Sequence, residues 1–148
     1  MTVVQCWDDG VTTDVRLAEI LRRHGAKATF NLNAGLHAAE RKAGHVYART
    51  TGSVEQPFPP GNPMAFHPCC HFLVPDLWSR YEKAKTGGVF YFWGHSYELI
   101  TEAMWTAFEN MIVRISNDPM ARWGEVADLF DDTMQNKIAP NKPDAGGV

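Results

Sequence analysis

Apolar positions open the chain and then change period. Val3, Val4, Cys6 and Trp7 lead into Asp8, Asp9 and Gly10, after which Leu17, Ile20 and Leu21 recur at helical spacing. Residues 2–7 therefore predict a largely buried strand. The next stretch predicts a helix that Thr12 or Thr13 can cap, with Asp14 in its first turn, Arg22 and Arg23 in its last, and Gly25 as its stop. His24 falls at the helix end, where a cation is favoured and no chemistry is required. Residues 28–32 read as a second strand. Strand, helix and strand in so short a span form a βαβ unit, and its two strands are expected to be parallel.

The pattern then breaks. Residues 33–37 read as a loop, 38–44 as the last turns of a helix ending on Gly44, and 45–50 as a third strand. Residues 51–63, rich in Pro, Gly and Ser, predict a loop. A short strand is expected at 64–67, before Pro68-Cys69-Cys70-His71. A helix over 75–85 turns Leu77, Trp78 and Tyr81 inward. Residues 89–93, Val-Phe-Tyr-Phe-Trp, form a continuous apolar run suited to a strand buried on both faces. Met104, Phe108, Met111, Ile112 and Ile115 share one face of a helix that Asn117-Asp118-Pro119 ends. Trp123, Val126, Ala127, Phe130 and Met134 predict a second. From 136 the sequence is polar. One α/β domain is expected over 1–135, with a seam near 35–43 and a polar tail at 136–148.

Composition narrows the function classes. With 148 residues, 45% apolar and 21% charged, the chain has the make-up of one soluble domain. A net charge of −3 without a basic stripe argues against nucleic acid or an anionic membrane as partner. No apolar run approaches the roughly 18–20 residues of a bilayer span, and no secretion leader is evident. Three cysteines, two of them adjacent, suit reduced thiols, so a cytoplasmic location is expected.

The polar residues that follow each expected strand are Asp8 and Asp9, Asn33, Thr50, His67 with His71, and His95. In a parallel α/β sheet or barrel these positions share the carboxyl edge, where such folds place their sites. Two adjacent carboxylates repel each other. A divalent cation resolves that conflict, with Asp9 as ligand and Asp8 as a base for water; a turn whose acids cap the next helix is the plainer reading. His95 suits a general acid for a leaving amine, since histidine titrates near neutrality, or else it caps the strand end.

The run Cys6-Trp7-Asp8-Asp9-Gly10, the helix after it and Ala28-Thr29-Phe30-Asn31-Leu32 resemble the opening motif of the NodB-type polysaccharide deacetylases. Phe92-Trp93-Gly94-His95-Ser96-Tyr97-Glu98 resembles that family's late histidine motif. The likeness covers residues 2–37 and roughly 44–130. It implies a distorted (β/α) barrel and metal-dependent removal of acetyl from N-acetylated sugars. It also implies Asp8 as base, Asp9 as metal ligand, His95 as acid, and zinc or another divalent metal as cofactor. Trp7, Asn33, His67, His71 and Trp93 are then candidates for substrate contact.

The chain departs from that pattern. The family's H-x-x-x-H metal ligands soon after the second strand are missing from their place. So are the arginine and the Pro-Tyr or Pro-Phe pair of its third motif. A full barrel needs about 250 residues, so this chain is roughly 100 short and supplies about five strands. The expected fold is therefore an incomplete (β/α) barrel of parallel strands flanked by helices. Its lost neighbours are expected to leave residues 89–93 uncovered and prone to self-association. Two other readings follow: a sugar-binding remnant using Trp7, Trp78 and Trp93, or a zinc protein using His67, Cys69, Cys70 and His71.

Overall fold

The computed structural model describes residues 1–31, 49–50, 52, 58–62 and 65–130. The expected seam, Asn33, the strand at 45–48 and the tail lie outside them. In chain order the elements are β1 (Thr2–Asp8), α1 (Thr13–Arg23), β2 (Thr29–Asn31), β3 (Cys70–His71), α2 (Leu77–Gly87), β4 (Val89–Gly94), α3 (Glu102–Ser116) and β5 (Arg122–Trp123). Among the described residues, two 3-10 turns, Ser96–Glu98 and Ala127–Phe130, follow β4 and β5.

Among the described residues every strand pair is parallel, as the βαβ spacing predicts. β1 is the hub. It pairs with β4 from Thr2↔Val89 to Trp7↔Gly94, and β3 lies outside β4 at Phe92 and Trp93. On its other edge β1 meets two strands end to end: β5 opposite Thr2 and Val3, and β2 opposite Cys6 to Asp8. The described residues thus form an open five-stranded sheet flanked by helices, with no closed barrel. Among them, no helix is long and apolar enough to cross a membrane.

Strand alternation sorts the core into two layers. Val3, Trp7, Phe90, Phe92 and Cys70 meet Leu17, Ile20 and Leu21 of α1, Leu77 and Tyr81 of α2, and Trp105 to Ile115 of α3. Val4, Cys6 and Tyr91 meet Phe66, Val126 and Leu129 on the opposite face. Gln5 is fully buried yet satisfied, since its amide donates to the Lys27 carbonyl at 2.9 Å and accepts the Trp7 indole N–H at 2.9 Å.

Three expectations are corrected. Residues 89–93 are not left bare: Phe90, Tyr91 and Phe92 are buried, and the Phe66 ring stacks on Tyr91 with centroids 5.0 Å apart. Over their described part, residues 123–134 form no α-helix. β2 is too short to pair all of β1, so the backbone of Thr2 and Val3 recruits Arg122 and Trp123 as a strand. Gly124 continues that approach, donating to the Val3 carbonyl at 2.9 Å where a Cβ would lie 3.1 Å from Thr2 Cγ2. Val126 and Leu129 are buried together by the threefold period of a 3-10 turn. Over its described residues 65–67, the short strand expected at 64–67 shows one bridge, Phe66 with Arg49; the paired strand is Cys70–His71.

Asp118, just beyond α3, ties that helix to α2. It accepts from Lys85 Nζ at 2.8 Å, the Met120 N–H at 2.9 Å and the Tyr81 hydroxyl at 2.9 Å. Lys85 foremost, then Met120 and Tyr81, hold its carboxyl down at about 2. A depressed folded-state value stabilises the fold above the ordinary carboxylate range, and the contribution is lost as pH falls through about 2. Asp118→Asn is therefore expected to lower the melting temperature at neutral pH, with the two proteins converging near pH 2. Equal melting temperatures at neutral pH contradict this.

Candidate functional site

The carboxyl edge of the sheet gathers the polar residues that the parallel arrangement requires. Asp8 ends β1, Asn31 ends β2, His71 ends β3, and His95 follows β4. Asp8 is nearly buried and held on both oxygens: Asn31 Nδ2 donates to Oδ1 at 2.8 Å, and Arg49 pairs with Oδ2. The Arg49 guanidinium lies 4.8 Å from the centroid of the Trp93 ring, and its Nη1 is buried without a partner among the described residues.

Asp9 occupies the left-handed region at φ 82°, followed by Gly10 at φ 62°. A non-glycine residue there costs of order 1 kcal/mol, least for short polar side chains. The turn diverts the chain from β1 towards α1 and brings the Asp9 carboxylate to His95. Asp9 Oδ2 lies 3.7 Å from His95 Nε2 and 3.4 Å from the Tyr97 hydroxyl.

Glu98 organises the other side. Its Oε2 accepts the His95 backbone N–H at 3.0 Å and faces His95 Nδ1 at 3.2 Å and His71 Nε2 at 2.8 Å. Burial pushes the Glu98 carboxyl up, but the His95 N–H and the two imidazoles outweigh it and leave it below the usual range. His71 Nδ1 accepts the Leu73 N–H at 3.3 Å, which assigns the ring proton to Nε2 and hence to Glu98. The turn carrying His95 is fixed to α1: fully buried Ser96 bonds Thr13 Oγ1 at 2.6 Å and Asp14 Oδ1 at 2.5 Å. Those contacts, rather than a Thr12 side-chain cap, hold the start of α1.

Among the described residues, the donors beside Asp9 do not complete a metal site. His95 is close to Asp9, but among the described residues the only cluster of three or more ligand atoms is His71, His95 and Glu98. The span where the resemblance would put the missing histidines lies outside the described residues.

The other candidates separate. Asp8, Asp9, His71, Trp93 and His95 share the rim. Trp7 is corrected: it is fully buried, with ring centroids 5.1 Å from Phe72 and 5.3 Å from Phe108, and cannot meet a ligand. Trp78 has the Arg114 guanidinium 3.6 Å from its ring centroid, so a stacking platform of Trp7, Trp78 and Trp93 is not present. His67 bonds Thr50 and lines an apolar cavity of about 180 Å³ with Phe58, Phe66 and Tyr91. It does not join Cys69, Cys70 and His71 in a ligand cluster. Burial pushes the thiols of Cys6 and Cys70 up to about 11 and about 12, so both sit protonated in the core.

Arg49 and Glu98 escaped sequence reasoning. Glu98 carried a signal, since it stands three residues after His95 in capping-box spacing. Arg49 carried none, for it reaches Asp8 across 41 residues of sequence.

No family model matches this chain, and neither does any curated protein or solved structure.

Proposed function

We propose that this chain is a polysaccharide deacetylase-like hydrolase, cleaving the acetamido C–N bond of an N-acetylated carbohydrate, and that its open sheet is a partial (β/α) barrel of the NodB type. The observation that carries the reading is the meeting of the acid pair with His95 on one sheet edge, with Asp9 Oδ2 3.7 Å from His95 Nε2.

The roles follow from the partners. Asp8, oriented by Asn31 and Arg49, takes a proton from the attacking water. The Arg49 guanidinium, set beside the Trp93 ring, holds the Asp8 carboxylate in place for that step. Glu98 faces Nδ1 of His95 and orients the ring, leaving Nε2–H at the rim to protonate the amine as the C–N bond breaks. Acetate and a free amino sugar leave. No step uses a metal on Asp9.

Acetate release from N-acetylated chito-oligomers tests this. The wild type is expected to release acetate and Asp8→Asn to release none above background. A folded wild type that releases none, or an Asp8→Asn variant as active as it, overturns the reading.

A further inference from the structure

We infer that His71, Glu98 and His95 form a seat for a divalent transition metal, zinc by preference, set beside Asp9 rather than on it. The three residues come from the end of β3 and the turn after β4, and one ligand atom from each lies within 4.8 Å of the other two. Two imidazole nitrogens converge on a single carboxylate oxygen, at 2.8 Å and 3.2 Å. In the metal-free protein that oxygen receives their protons. A cation placed among the same three atoms replaces both. The side chains are 19%, 29% and 20% exposed, which screens the site yet leaves it open to an ion.

The donor chemistry selects the class of metal. Two nitrogens and a carboxylate suit zinc and its neighbours, whereas magnesium and calcium take all-oxygen seats. Three protein ligands leave further positions for water, as in reactive rather than purely structural zinc sites. Binding at His71 Nε2 moves that ring's proton to Nδ1 and gives up the 3.3 Å contact from the Leu73 N–H, a long bond of small value. Binding at His95 Nδ1 leaves Nε2–H facing the Asp9 carboxylate, so Asp9 supports the ligand from outside.

The site does not depend on the hydrolase reading. Loaded with metal, His95 no longer serves as an acid, so the two uses of that ring exclude each other. Metal binding is accordingly measured without turnover. Zinc chloride is titrated calorimetrically into the full chain, and Co²⁺ loading is followed by its visible bands. One zinc per chain is expected. Glu98→Gln, close in shape to the wild type, and His71→Gln should each weaken binding by more than about tenfold. Cys69→Ser should leave it unchanged, and Asp9→Asn should weaken it less than either ligand variant. Circular dichroism confirms that each variant is folded. No zinc binding by the folded wild type overturns the inference. So does binding that survives both ligand variants, or binding lost on Asp9→Asn but kept in His71→Gln.

Discussion

Gly94→Ala is expected to unfold the protein or to lower its urea midpoint sharply. Gly94 ends β4 opposite Trp7, on the face where Phe72 closes over the sheet. A Cβ there would lie 2.2 Å from Phe72 Cδ1, 2.5 Å from Cε1 and 3.1 Å from Trp7 Cζ3. The ring cannot step aside. It is 6% exposed and wedged between Trp7 and Phe108, with centroids 5.1 Å and 6.1 Å away. Overpacking of this kind costs about 1–3 kcal/mol or more, and each aromatic pair disturbed adds about 0.5–1.5 kcal/mol. Against a typical domain stability of about 5–15 kcal/mol, one methyl group here consumes much of the margin. Trimming Phe72 to leucine in the same chain should recover part of the loss, because the clash is with the ring. An unchanged midpoint for Gly94→Ala contradicts the packing described.

His95→Gln is expected to leave the fold intact and to remove acetate release. General acids contribute about 10²–10⁴ in rate, so kcat should fall by that factor with KM little changed. The structural cost should be small: the side chain is one-fifth exposed, and glutamine can still donate to Glu98. Glu98→Gln tests the positioning of His95 separately. With a neutral amide in place of the carboxylate, the acceptor that orients His95 is weakened, so kcat should fall by a smaller factor than in His95→Gln with KM little changed. Hydrolysis indifferent to His95→Gln would assign any activity to other residues.

The sequence disclosed the frame better than the site. The periodicities at residues 3–7, 17–21 and 89–93 are strong because β1 and β4 are buried over much of their length and α1 buries one face. Parallel pairing followed from the βαβ spacing, and with it the shared edge of Asp8, Asp9 and His95. What failed was decided at long range. Residues 123–130 carry a helical apolar pattern, but unpaired amides at the start of β1 outweigh it. Trp7 reads equally well as a ligand platform or as core, and only the positions of Phe72 and Phe108 decide between them. Arg49 joins Asp8 from a distant segment without any local mark. Glu98 was legible as a cap, while its grip on His71 required the fold to bring residues 71 and 98 together.

The central place of β1 carries a kinetic consequence. Residue 2 is paired with residues 89 and 122, so most of the chain must be looped back before that strand gains neighbours on both edges. Closing such loops is entropically uphill until the contacts form. The folding barrier is therefore set by assembly from remote segments, and refolding should be slow compared with helical domains of equal size.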